Sequence, residues 1–454
     1  MLTKFNRLIT LFTLFPLLAL ADVSEYQLDN GLQLLVKEDH RAPVVVSQVW
    51  YKVGSSYEHN GITGISHQLE HMMFKGTENL GVNEFSQIIA ANGGRENAFT
   101  GQDYTAYFQT LEKDRLAVSF RLEAERMRKL VIDDAELLKE QEVVAEERRM
   151  RTEDNPQALV REAFYATAFV NSPYHHPIIG WMSDINNYKA DDLRDWYQKW
   201  YAPNNATVVV VGDVNADEVY ALAQQYFGPL KPETTAIVKP QIEVKQRGKR
   251  MLEVKAPAEL PYFMMGWKVP VVATAEAAWE PYALDMLTGI LDGGSSARFA
   301  RNLVRGDEVA ASVGAGYDLF SRLDDVFIIA GTPTRDNTLA DLQSAVMSEI
   351  KQIQTELVST AELQRIKTQV VANTVYERDS VFYQAMQLGM LETVGLDWRL
   401  SDDYVANLQA VTAEQVQAVA NKYFIDDTLT IAELVPMPID SSQQTQSAGG
   451  RHGR

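Results

Sequence analysis

Histidine is scarce in this chain, with seven among 454 residues, and two of the seven, His67 and His71, stand four apart with Glu70 between them. The segment reads Gly64-Ile65-Ser66-His67-Gln68-Leu69-Glu70-His71-Met72-Met73-Phe74. On an α-helix, residues four apart share a face, about 6 Å from each other along the axis. Both imidazoles can then point at one ion. Glu70 lies beside them, able to reach a water held there without ligating the metal itself. This is the inverted form of H-E-x-x-H, and it asks for the same chemistry, metal-assisted hydrolysis with a carboxylate base. The competing reading is a pair of solvated or core histidines. The scarcity of histidine, the placement of Glu70 and the apolar flanks weigh against it.

A catalytic zinc takes three protein ligands and leaves one position for water. The chain has no cysteine, and His40, His59, His175, His176 and His452 stand in turn-like or terminal contexts. A carboxylate is therefore the expected third ligand, and the acidic helix predicted over 134–151 supplies candidates. Glu140, Val143, Val144 and Glu147 follow i, i+3, i+4, i+7 and form a half-apolar face expected to pack inward. Glu146 shares its face with Lys139 and Glu142 and reads as solvated. The pattern favours Glu147 as the ligand, with Glu140 two turns behind it in a supporting catalytic role. Spacing alone leaves an ordinary charged surface helix equally open.

These blocks resemble the pitrilysin/insulinase family of zinc peptidases, which includes the mitochondrial processing peptidase. That family carries H-x-x-E-H and, 76 positions beyond the second histidine, a ligand glutamate on a helix reading E-x-x-V-V-x-x-E; here the spacing falls on Glu147, in Glu140-Gln141-Glu142-Val143-Val144-Ala145-Glu146-Glu147. The resemblance implies one Zn2+ per chain held by His67, His71 and Glu147, with Glu70 activating the water. A second block, Asn97-Ala98-Phe99-Thr100-Gly101-Gln102-Asp103-Tyr104-Thr105-Ala106-Tyr107, is similar to the family's edge strand. It implies that Asn97, Ala98 and Phe99 bind substrate by backbone pairing, a mode that suits any extended peptide. A third, Tyr174-His175-His176-Pro177-Ile178-Ile179-Gly180, is similar to a family loop of structural role. The resemblance runs from Val23 to about Val435.

The chain departs from the family in its C-terminal half. Active members there supply an Arg and a Tyr, seven residues apart, that stabilise the oxyanion of the reaction. Here Val304 and Ala311 stand at those positions, with Arg305 and Tyr317 nearby but out of register. The departure implies that a second family chain supplies the donors, giving a heterodimer, with a homodimer as the runner-up. The function expected is a zinc metalloendopeptidase acting on unstructured peptides or small polypeptides. The alternative is a non-catalytic peptide-binding or scaffold subunit of a two-chain complex.

The elements that must position these residues alternate along the chain. Strands are predicted at 32–36, 44–51 and 207–211, helices at 65–74, 84–91, 114–130 and 134–151, and a hairpin over 97–111. A weak repeat links Ala190, Trp200 and Thr207 to Ala413, Tyr423 and Thr430, at a constant offset of 223 residues. The expected class is α+β, as two related domains, each a mostly antiparallel sheet covered by helices. The expected division is a signal peptide over 1–21, an N-terminal metallopeptidase domain with the zinc site over 22–230, a linker over 231–250, a related domain without metal over 251–435, and a disordered tail over 436–454.

Lys4 and Arg7 precede an apolar run ending in Ala19-Leu20-Ala21, the pattern of a cleavable signal, and the run is short of the ~20 residues a span requires. Such a signal together with the missing cysteine suggests a periplasmic protein with no stable membrane insertion. Removing Lys4 and Arg7 leaves 40 basic and 61 acidic side chains, a charge near −21. That surface repels nucleic acid and favours cationic partners or peptides, although solubility explains most of it.

Overall fold

The structure, a computed structural model, describes residues 23–234 and 238–439. The expected signal peptide and most of the expected tail lie outside these residues.

Eleven strands form two sheets among the described residues. The first sheet holds β1 (Val23–Gln27), β2 (Gln33–Glu38), β3 (Val44–Tyr51), β4 (Arg95–Thr100), β5 (Thr105–Glu112) and β6 (Ala206–Gly212), in the order β1-β2-β6-β3-β5-β4. The second holds β7 (Arg250–Pro257), β8 (Tyr262–Val269), β9 (Ala310–Gly316), β10 (Asp325–Pro333) and β11 (Leu429–Met437), in the order β7-β11-β8-β10-β9. Each sheet has one parallel pair, β2 with β6 and β7 with β11, and is otherwise antiparallel. The α+β class in two related domains is as the sequence predicts.

The N-terminal helices are α1 (Ile65–Met72), α2 (Glu84–Ala91), α3 (Leu116–Lys129), α4 (Asp134–Arg148), α5 (Pro156–Ala168), α6 (Met182–Ile185), α7 (Ala190–Trp200) and α8 (Ala216–Tyr226). Those that follow are α9 (Glu280–Asp292), α10 (Leu339–Thr355), α11 (Thr360–Arg378), α12 (Val381–Thr393), α13 (Leu400–Ala410) and α14 (Ala413–Tyr423). The 223-residue offset maps α7 onto α14 and the start of β6 onto the start of β11.

Every residue of β6 is buried, which explains its unbroken valine run, because both faces of the sheet are covered. One face packs on helices of its own half. The other is closed by α12 from the C-terminal half, through Ala385 and Leu388 against Trp50, Val209 and Val211. The second sheet is treated reciprocally, with α5 from the N-terminal half laying Val160 and Phe164 against Met264 and Ala432. Both crossings need a glycine. A Cβ on Gly389 of α12 would lie 2.1 Å from Nε1 of Trp50, and one on Gly266 of β8 would lie 2.8 Å from Cζ of Phe164.

The structure corrects three details of the sequence reading. The helix expected over 134–151 ends at Arg148 and continues as a π-helical turn, Arg149–Glu153. The inward strip of α4 is Leu137, Glu140, Gln141, Val144, Ala145 and Arg148, so Val143, expected to face inward, is exposed. Strand β11 runs to Met437, two residues into the expected tail, because Pro436 and Met437 pair with Ala256 and Pro257.

Candidate active site

The helix that carries both histidines is held at its start by a carboxylate. Glu58 accepts the backbone N–H groups of Gly64 at 2.6 Å and Ser66 at 2.9 Å, covering donors that the first turn leaves free. Burial pushes Glu58 up to about 7, and those two bonds oppose the rise. Ile65, Leu69 and Met72 anchor α1 in the core, which turns His67, Glu70 and His71 toward a cleft of about 810 Å³.

The long helix α4 brings the distant carboxylate to the same place. His71 Nε2 lies 3.4 Å from one oxygen of Glu147, and His67 Nε2 lies 3.9 Å from the other. The two rings are 4.9 Å apart, inclined at 66°. One ligand atom from each of the three residues falls within a 4.8 Å group, and no other such set of three His, Cys, Asp or Glu side chains occurs among the described residues. Zinc–ligand distances of about 2.0–2.2 Å set tetrahedral ligands roughly 3.4 Å from each other, so a small contraction would close this set around one ion. The donor types, two imidazoles and a carboxylate, also suit zinc.

Glu140 stands behind His71. Its Oε2 is 3.2 Å from His71 Nδ1, and its Oε1 is 2.6 Å from Lys75 Nζ. Nδ1–H donates to Glu140 and Nε2–H points at Glu147; a metal in place of the Nε2 proton would find the tautomer that a ligand requires already fixed by Glu140. Glu140 does not reach the cleft's reacting face, so its position is that of an orienting group. Burial alone would depress His71, but the Glu140 and Glu147 carboxylates lift it to about 9. His67 is pushed down to about 4 by burial and by the neighbouring His71. The hydrogen bond to His71 holds Glu147 below the usual carboxylate range, and Arg151 Nη1 lies 2.5 Å from its Oε1. A cation thus already stands at the ligand oxygen.

Glu70 stays outside this triad. Its carboxylate accepts a hydrogen bond from the Thr100 hydroxyl, and burial pushes its pKa up. Thr100 ends β4, the edge strand of the first sheet, whose far side has no strand beside it. Asn97 and Ala98 line the cleft, and Asn97 is exposed. Phe99 lines it by position, but its ring packs on the other face of the sheet, edge-on to Trp50 at 5.3 Å. What Phe99 offers the cleft is backbone. The opposite wall comprises Arg151, Thr152, Arg161 and Tyr165, closed by the 174–179 loop.

Among the described residues the other histidines stay out of the metal group. His40 pairs with Asp213 and Glu38, His59 and His175 bond to backbone carbonyls, and His452 lies outside the described residues. Sequence reasoning missed Glu58, Lys75, Arg151 and the contact of Thr100 with Glu70. Of these, Thr100 and Arg151 stood inside segments already singled out.

Two stacked α+β domains with an inverted histidine pair on one helix and a glutamate from a distant one define the scaffold of a metallopeptidase. Residues 33–181 match the family described as Insulinase (Peptidase family M16), and residues 187–370 match the Peptidase M16 inactive domain. The zinc protease PqqE of Helicobacter pylori is 34% identical over 422 residues, spanning 90% of this chain and 92% of that protein. The chain belongs to peptidase family M16, whose relatives here are named zinc proteases. The crystal structure of a protease from Helicobacter pylori superposes with a TM-score of 0.87 at 32% identity, covering 92% of this chain and 100% of that one. The periplasmic protease PqqL from Escherichia coli shares the fold, with a TM-score of 0.76 at 19% identity, covering 95% of this chain and 50% of PqqL. Among the described residues no helix is long and apolar enough to cross a membrane.

Proposed function

We propose that the chain is a zinc-dependent endopeptidase for unstructured peptides or small polypeptides, in which His67, His71 and Glu147 hold one zinc ion and Glu70 is the general base. The observation that carries this reading is the convergence of three ligand atoms within 4.8 Å beside a half-buried glutamate that binds none of them. Bound there, zinc would supply Lewis acidity and bring the pKa of a coordinated water to about 7.

The chain's own groups supply the rest. The free edge of β4 pairs with an extended peptide backbone, with Asn97, Ala98 and Phe99 contributing main-chain groups. A carboxylate oxygen of Glu70 takes a proton from the attacking water and delivers it to the leaving amine nitrogen. Such transfer contributes typically ~10²–10⁴-fold in rate. Glu140 keeps His71 in the correct tautomer, and Thr100 fixes the Glu70 carboxylate.

Val304 is half-buried in the C-terminal core and Ala311 is an exposed methyl on β9, so neither offers an oxyanion donor. Arg305 donates to the Ser295 carbonyl, and Tyr317 donates to the Pro270 carbonyl at 2.5 Å. We therefore assign the donors to a second family chain in a heterodimer, a homodimer being the runner-up. That this chain matches half the length of PqqL is compatible with two such units working together. The same departure favours a second reading, a non-catalytic peptide-binding or scaffold subunit. A periplasmic location after signal cleavage belongs to this proposal too.

Zinc content and cleavage of an unstructured peptide, measured on the purified chain with and without a candidate partner chain, test it. Hydrolysis that rises when the partner is added supports the enzyme. A zinc-loaded chain that never cleaves, with any partner, points to the scaffold.

A further inference from the structure

One side chain of the C-terminal half is hydrogen-bonded to the segments that border the cleft. Arg322, in the loop before β10, crosses to the β4–β5 turn, where its Nε donates to Asp103 Oδ1 at 2.9 Å and its Nη2 to Ser56 Oγ at 2.8 Å. Ser56 Oγ in turn donates to Asp103 Oδ1 at 2.6 Å. The Tyr174 hydroxyl donates to Asp103 Oδ2 and accepts the backbone N–H groups of Arg322 at 3.0 Å and Leu323 at 3.1 Å. The guanidinium also lies over the Tyr57 ring, 4.6 Å from its centroid. Ser56, Asp103 and Tyr174 are buried.

This ring of bonds is closed. Each oxygen of Asp103 accepts two donors, and three separate stretches, 55–57, 103 and 174, meet one arginine at least 148 positions along the chain. The turn it grips is three residues from Thr100, which contacts Glu70. Ser55 and Ser56 also donate their N–H groups to the carbonyls of Gly101 and Gln102, at 3.2 and 2.8 Å. The loop 174–179 that closes the cleft starts at Tyr174. The floor, edge and lip of the cleft are thus joined at this arginine.

We propose that Arg322 is a positioning residue for the substrate-pairing strand: by holding Asp103 and Ser56 it fixes the β4–β5 turn, and so the free edge of β4, against the helix that carries Glu70. The inference rests on the peptidase reading for the identity of the ligand, an extended peptide. It is tested by binding rather than turnover, so the two fail separately. Charge-assisted hydrogen bonds to a buried carboxylate are strong, and a loosened edge must be ordered again before it can pair.

The experiment compares Arg322→Met and Arg322→Lys in the full chain carrying Glu70→Gln. The probe is a fluorescent unstructured peptide, alongside the same sequence N-methylated at alternate residues, which cannot pair as a strand. Arg322→Met is expected to raise the Kd of the plain peptide about tenfold, and Arg322→Lys about threefold, with zinc content unchanged. The N-methylated peptide, already weak, is expected to bind all variants alike. Equal binding of the plain peptide across the variants would overturn the proposal, as would an equal loss for both peptides, which marks a general defect. Should Arg322→Met fail to hold zinc, Arg322→Lys decides by the same criteria. A wild-type chain that never hydrolyses with any partner chain, with the Arg322 effect intact, sinks the hydrolytic reading alone.

Discussion

The two halves build one scaffold twice and equip it once. In each, a strand is followed by a helix, and a later helix–turn–strand, α7–β6 or α14–β11, returns to an interior position of the sheet. The helix after β3 carries His67, Glu70 and His71, and the corresponding helix after β8 is α9. There the acidic side chains are committed to structure. Glu280 accepts from Lys422 at 2.5 Å and Tyr423 at 2.9 Å, and Asp285 accepts from Tyr404 at 2.7 Å. No histidine occurs between 176 and 452. The edge strands differ in the same sense. β4 lies open beside the cleft, whereas on β9 the N–H of Ala315 is already bonded to the Asp292 carboxylate at 3.1 Å. On the proposed reading, a shared backbone does not carry the chemistry; a few side chains on α1 and α4 and one open edge would.

The comparison is broken most severely by removing a ligand. His67→Ala and Glu147→Ala are expected to lose zinc and, with it, all measurable peptidase activity, since no second such group occurs among the described residues; metal analysis after dialysis checks this. Next comes Glu70→Gln, which should keep zinc and lower kcat by about 10²–10⁴-fold. Wild-type turnover by this variant would remove the base from the account. Glu140→Gln is a milder change, because only the orientation of His71 is loosened. Zinc affinity should fall about 10–100-fold, read by competition with a chelator. The smallest effects concern the reciprocal helix crossings. Gly389→Val should lower stability by about 1–3 kcal/mol, and Gly266→Val by less. The Phe164 ring at Gly266 can shift, whereas Trp50 at Gly389 is packed and bonded to Gln48. Thermal melts that rank them the other way would contradict the claim that Phe164 yields more readily than Trp50.

How much of this was legible in the sequence follows from how local each signal is. The His67–Glu70–His71 face comes from helical periodicity alone, and α1 presents it as expected. The hairpin of β4 and β5 was readable from its alternation and the repeat from its constant offset, whereas the open edge of β4 came only from the family resemblance. Glu147 needed the family spacing, because helix periodicity on α4 could not locate the inward strip; it wrongly turned Val143 inward. That strip is fixed by what α4 packs against, including the Gln141 amide bonding the carbonyls of Ile185 and Tyr188. Lys75, Thr100, Glu58 and Arg322 act through contacts between segments that only the tertiary fold brings together. No spacing rule encodes such contacts.

Anomalous X-ray scattering at the zinc edge, on crystals of the zinc-loaded full chain, tests the central claim most directly. The account predicts one peak, bounded by His67, His71 and Glu147, with none in the C-terminal half. Density for zinc held by other residues, or no peak among these three side chains with the metal in excess, would contradict it.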